Sequence, residues 1–327
     1  MKEESEKTAS VSASAGQFSG GLSVKRANIF YLWYTALSLI LTSFKIPGLP
    51  MTWVALTYYI PLLLVAFLLC RKEGTRMGTA FGFQKIKPLT ILLTVVICIA
   101  MHSVSHLISS LTNLLFPSFF EAASEQMLGG SFLVNFVGVA MIPAFFEEFV
   151  VRGGMLNSYL NTGRLRAAVL LTAFLFGLQH MNPTQFFYSF AMGIVLALLF
   201  VLTGSIWPGI LFHFLNNAMA PIANLLEERY GEAFVSRYIF PFSRGVSDPK
   251  SALVTVAAAL VGLVVTVLCL RGIARCEDSE DRLHLCVRGG GTGKLVTPPL
   301  IIAIVLIALM TAAATYGMIA RLASVPA

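Results

Sequence analysis

The chain has 327 residues, 57% of them hydrophobic and 12% charged, with a net charge of +7 and a mean hydropathy of +0.79. This is far more apolar than a soluble globular domain, so composition excludes an ordinary soluble fold and predicts an integral, multi-pass membrane protein. The surplus of positive charge is accounted for by topology and contact with anionic lipid, and nucleic-acid binding is an unneeded explanation.

Residues 1–27 open polar, rich in Ser, Gly and charge, with no apolar core of the signal-peptide kind. They predict a disordered cytoplasmic tail with no cleavable signal. Apolar runs able to cross a hydrocarbon layer then lie near 28–44, 52–70, 88–111, 131–151, 167–180, 184–203, 206–226, 252–270 and 298–320. With about 20 residues needed per span, these give about nine transmembrane helices, the fifth short. Water is absent from the bilayer interior, so each segment must satisfy its own backbone, and the lengths suit helices rather than barrel strands. The expected fold class is all-α, a polytopic helix bundle.

Four parts are expected beyond the tail: N-terminal transmembrane helices over 28–130, a core over 131–226, an extracytoplasmic loop over 227–251, and C-terminal helices over 252–327 with a flexible loop at 271–297. Lys and Arg gather in the tail, between the second and third spans, around the turn after the fourth, and between the eighth and ninth. That bias places the N-terminus in the cytoplasm and the C-terminus outside. The run GGGTGK at 289–294 lacks the final Ser or Thr and the preceding strand of a phosphate loop, and reads as a linker. Cys70, Cys98, Cys269, Cys276 and Cys286 show no CxxC spacing, which argues against a disulfide framework or a zinc site. Cys70 and Cys269 fall at helix ends where lipidation is conceivable.

Ionisable groups inside a span cost about 2.5–3.5 kcal/mol each on insertion scales, so each is expected to be paired or functional. On the third span His102 and His106 are one turn apart and alternate with serines; they can line a hydrated face, bond between helices or ligate a metal. The fourth span carries FFEEFVVR at 145–152. Glu148 and Arg152 stand at i, i+4 with the acid first, the orientation that attracts best. Glu147 projects about 100° away and is not easily served by the same arginine. The alternative is one salt-bridged cluster of all three.

Next comes FGLQH at 176–180. Reflecting Glu147 through the turn signal NTGR (161–164) lands on His180, so the two sit at one depth if both arms stay helical. The seventh span carries HFLNN at 213–217. His213 and Asn217 share a face, and Asn216 at i+3 could stand in for Asn217. An imidazole and an amide aimed at one point can stabilise an oxyanion; the plainer reading is an interhelical polar contact.

Together, EExxxR (147–152), FxxxH (176–180) and HxxxN (213–217), each in a hydrophobic span, resemble the CPBP family of intramembrane endopeptidases. That family includes the CAAX-processing prenyl protease and bacterial relatives such as bacteriocin immunity proteins, the Abi group. The resemblance covers roughly 131–226. It implies that Glu147 and His180 activate a water, that His213 and Asn217 form the oxyanion hole, and that Glu148 and Arg152 support them. Val151 departs from the pattern, where many members carry an aromatic before the arginine.

The residues fit that chemistry by themselves: a carboxylate and an imidazole can deprotonate water for attack on a peptide carbonyl with no serine or cysteine nucleophile. No cofactor is then required. Zinc held by Glu147, His180 and His213 is the alternative, and the absence of HExxH favours the metal-free form. The expected substrate is a membrane-associated protein or peptide cut near the cytoplasmic leaflet, and the expected location is a bacterial cell membrane. A non-catalytic immunity or scaffold protein of the same fold and a proton-coupled transporter are the competing functions.

Overall fold

The computed structural model describes residues 20–43, 51–116, 131–231, 234–235, 246, 248–288 and 291–323. The tail residues 1–19, residues 236–245 of the connection after the seventh span, and Gly289 and Gly290 of the glycine run lie outside them. Among the described residues every regular element is helical, as an all-α reading requires. The elements are α1 (Val24–Ser43), α2 (Met51–Glu73), the single turn α3 (Met77–Ala80), α4 (Pro88–Leu115), α5 (Phe132–Leu160), α6 (Leu165–Leu178), α7 (Pro183–Thr203), α8 (Trp207–Tyr230), α9 (Pro249–Cys276), α10 (Glu280–Arg288) and α11 (Pro298–Ala323).

Each apolar run of the sequence has become a helix, but length and apolarity together are met by only five among the described residues: α4, α5, α7, α9 and, over Pro298–Tyr316, α11. The expectation of about nine spanning helices is therefore not matched in full. At 14 residues, α6 rises about 21 Å and falls short of a ~30 Å hydrocarbon layer.

Small residues set how closely these helices approach, as expected where lipid leaves no hydrophobic force between helices. A Cβ on Gly262 of α9 would lie 2.3 Å from the Ala100 carbonyl oxygen of α4, and beside it the Ser103 hydroxyl donates to the Ala258 carbonyl at 3.0 Å. On α7, a Cβ on Gly193 would lie 2.9 Å from Ala173 Cα, which draws α6 and α7 into a tight hairpin.

The stretch 271–297, expected as a flexible loop, carries the last turn of α9 and the whole of α10. α10 is amphipathic: Cys286 is buried, Leu283 and Leu285 pack on the core, and Arg282 donates to the Val201 carbonyl near the end of α7 at 3.3 Å. The segment that follows is also seated. Arg164 in the α5–α6 turn donates to the Gly293 carbonyl at 3.2 Å, and buried Asn28 of α1 donates to the Leu295 carbonyl at 2.9 Å while accepting from Tyr159 of α5. α1, α5, the α5–α6 turn and the segment leading into α11 are thus tied to one another.

All five cysteines are free thiols; Cys70, Cys98, Cys269 and Cys286 are buried and Cys276 is half-buried. Burial pushes the Cys286 thiol up to about 12, so its reactive thiolate is scarce at neutral pH. A maleimide at pH 7.5 is expected to label Cys276 readily and Cys286 only after denaturation. Equal labelling of the two in the folded protein, read by mass spectrometry, would show that α10 is not docked.

Candidate active site

α5 carries the acids, and its backbone is irregular on both sides of them. The α-helical stretch Ile142–Glu148 lies between π-helical segments at Phe136–Met141 and Phe149–Leu156, the kind of departure that often marks functional positions. Pro143 contributes to this, because it has no N–H to give to the carbonyl four residues back, that of Val139. Asn217 of α8 donates its side-chain amide to that carbonyl at 3.2 Å and accepts from Asn216 at 3.2 Å. One of the two hydrogens on the Asn217 amide is therefore committed to holding α5 just before its acids.

Glu148 and Arg152 pair as their spacing predicts, at 2.9 Å, with neither side chain exposed to any degree. The guanidinium also donates to the Gly193 carbonyl of α7 at 3.2 Å and lies over the Phe176 ring of α6 at 4.3 Å. The same Glu148 oxygen meets His213 Nδ1 of α8 at 3.1 Å. Since a carboxylate only accepts, that nitrogen is the N–H of the ring and Nε2 points elsewhere. Gly209, one turn before His213, makes the approach possible: a Cβ there would lie 2.6 Å from the other Glu148 oxygen. Glu148 is therefore more than the partner of Arg152; it also fixes the imidazole on α8.

His180 does not lie inside a helix as expected. α6 ends at Leu178, because Asn182 before Pro183 is extended, as a residue preceding proline prefers to be. Its side chain also caps α7 by accepting from Thr184 N at 2.9 Å. His180 sits in the turn between them, next to Met181 at φ 51°. The turn tightens so that His180 N–H reaches the Gly177 carbonyl at 3.3 Å, and the Phe176 carbonyl is taken by His180 Nδ1 at 2.8 Å. A carbonyl can only accept, so Nδ1 carries the proton and Nε2 keeps its lone pair when the ring is neutral.

Glu147 turns away from Arg152 and accepts from Gln179 Nε2 at 3.0 Å. That bond brings it to the residue beside His180. The ring of Phe176 stands nearly perpendicular to both imidazoles, 5.2 Å from His180 and 5.5 Å from His213. Tyr59 stacks on Phe146 at 3.8 Å, walling the acid on the side of α2.

Two residues that matter here are not specified by the motifs: Gln179, which holds Glu147, and Gly209, which admits Glu148. Phe176, the first residue of FxxxH, is the common neighbour of Arg152 and both histidines. Only the proximity of Gln179 to His180 in sequence could have pointed to Gln179. His102 and His106 lie on α4 outside this cluster, His106 Nδ1 being 3.5 Å from Ser110 Oγ. Among the described residues no group of three or more His, Cys, Asp and Glu is placed to hold a metal ion; the set Glu147, His180 and His213 does not converge in that way.

A helical membrane fold that concentrates two acids, an arginine and two histidines on neighbouring helices belongs with proteins that do chemistry or move protons within the bilayer. Residues 129–219 match the Rce1-like family model, described as type II CAAX prenyl endopeptidase Rce1-like. The matched segment contains Glu147, Glu148, Arg152, His180, His213 and Asn217, so the resemblance read from the three motifs is met over the segment that carries them. The matched family is one of proteases, and the five long apolar helices support an integral, multi-pass membrane protein. Neither a curated protein nor a solved structure matches the chain.

Removing one member of a buried ion pair leaves a charge without compensation, which typically costs about 3–5 kcal/mol. Arg152→Met is expected to destabilise by that order, and Gly209→Ala to destabilise by displacing Glu148. Both are read as a fall in the thermal unfolding midpoint of the detergent-solubilised protein. An unchanged midpoint in Arg152→Met would mean that the pair does not hold these helices together.

Proposed function

We propose that the protein is an intramembrane endopeptidase that hydrolyses a peptide bond of a membrane-associated protein or peptide by direct attack of water. The observation that carries this reading is the separation of the two acids. Glu148 is consumed by Arg152 and His213, whereas Glu147 has a neutral amide as its bonding partner and so keeps its carboxylate available as a base.

In the proposed reaction Glu147 and His180 Nε2 share the work of taking a proton from a water as its oxygen attacks the substrate carbonyl. The proton then passes to the leaving amine as the C–N bond breaks, and no covalent enzyme intermediate forms. Nδ1–H of His180, held on the Phe176 carbonyl, keeps Nε2 available for this. The oxyanion that develops is met by the second amide hydrogen of Asn217 and by His213 Nε2. A donor at that nitrogen requires the doubly protonated ring, for which Glu148 is the adjacent counter-charge. Phe176, Tyr59 and Phe146 keep the surroundings apolar, so these interactions act at low local dielectric. The family description of the matched segment names prenylated CAAX substrates, and a lipid-anchored C-terminal peptide is accordingly the first substrate to try.

The test compares wild type with Glu147→Gln in proteoliposomes holding an internally quenched peptide with a prenylated CAAX terminus, alongside a survey of new peptide ends in membranes of expressing cells. The expected result is cleavage by wild type and a loss of at least about 10³-fold in the variant, with the variant still folded. Equal peptide-end profiles for both proteins would favour a scaffold. Uptake driven by a proton gradient and abolished in Glu147→Gln would favour a transporter.

A further inference from the structure

Gln179 is a residue at this site that the motifs leave unspecified, and its two ends are in different situations. Its Nε2 donates to Glu147 Oε2 at 3.0 Å. Its Oε1 is buried and has no protein hydrogen-bond partner among the described residues. The assignment of the two ends follows from chemistry: an ionised carboxylate accepts only, so a reversed amide would set two acceptors against each other. A glutamine serving only to pin two helices together would be satisfied at both ends. Here one end grips the proposed base and the other offers an unused acceptor next to it.

The backbone holds this side chain firmly in place. Gln179 caps α6 with helical φ and ψ, and its N–H is bonded to the Leu175 carbonyl at 3.0 Å. The left-handed Met181 and the capped start of α7 fix the far side of the turn. Gln179 and His180 therefore leave one rigid turn together, the first reaching Glu147 and the second presenting Nε2.

Resting on the endopeptidase reading above, we propose that Gln179 is a further catalytic residue, which orients the Glu147 carboxylate through Nε2 and accepts a hydrogen bond from the attacking water through Oε1. The consequence is geometric. A water attacks through a lone pair, so its hydrogens must be directed away from the substrate carbon. With one hydrogen on Gln179 Oε1 and the other shared between the Glu147 carboxylate and His180 Nε2, an oxygen lone pair faces the scissile carbonyl. The proton that leaves goes to the base and later to the leaving amine; Gln179 stays neutral throughout and neither gains nor loses a proton. Glu147 Oε2 accepts from the amide, which leaves Oε1 as its less encumbered oxygen for the water.

The experiment uses the full-length protein in proteoliposomes with the quenched prenylated CAAX peptide and measures kcat and KM for wild type, Gln179→Met, Gln179→Asn and Glu147→Gln. Infrared difference spectra of the same proteins follow the carboxylate stretch that Glu147→Gln removes. Met keeps the length and volume of Gln179 without its amide, and Asn keeps the amide about one methylene too short to bridge. Both are expected to lower kcat about 10²-fold with KM within about twofold, and to shift the Glu147 carboxylate band. Should Gln179→Met fail to fold, Gln179→Asn decides by the same readouts.

Wild-type kcat in a folded Gln179 variant, an unshifted carboxylate band, or a rise in KM with kcat unchanged would overturn the proposal and leave the endopeptidase reading standing, provided Glu147→Gln is inactive. An active Glu147→Gln, or no cleavage of the peptide by wild type, would overturn the reading on which the proposal rests.

Discussion

One buried cation organises this site. Arg152 is fully enclosed, and its guanidinium contacts Glu148 on its own helix, the Gly193 carbonyl on α7 and the face of Phe176 on α6. Glu148 extends the set to α8 through His213. Burying two such charges is expensive, and similar volumes of hydrocarbon often stabilise as well or better. What the pair supplies is a single arrangement: a planar fork with fixed donor directions that lysine could not reproduce. Four helices in an environment that gives little orientation of its own are thereby set around one point.

With Glu148 so occupied, the adjacent Glu147 is the acid left over, and irregular backbone gathers around it. Pro143 and the flanking π-helical segments alter the rotation of α5 on both sides of the acids. Asn217 closes the gap at Val139. The short α6 ends in a turn that gives up the Phe176 carbonyl to His180. Unsatisfied backbone groups are not tolerated next to lipid, and the freed carbonyls of Val139 and Phe176 are taken by Asn217 and His180, polar residues that the site gathers.

Much of this was legible in the sequence, for physical reasons that can be named. Apolar run length located the helices, and i, i+4 spacing gave the Glu148–Arg152 pair, because both follow from helix geometry alone. The hairpin reflection that set Glu147 level with residue 180 came within one residue of the bond to Gln179. It could not show that His180 has left the helix, since that depends on Asn182 serving as a cap for α7. The stretch 271–297 reads as a loop because its charges and glycines are local signals, whereas its docking depends on long-range partners such as Arg164, Asn28 and Val201. The roles of Gly209 and of Phe176, which the FxxxH motif names without giving it contacts, were hidden for a similar reason: an aromatic and a glycine in an apolar helix gain meaning only from what approaches them.

The central claim is that Glu147 and His180 act on one water. A high-resolution experimental map of the protein in lipid tests it most directly. The account predicts an ordered water within about 3 Å of both the Glu147 carboxylate and His180 Nε2. A carboxylate and imidazole too far apart for one water to bridge, in a preparation that still cleaves peptide, would contradict it.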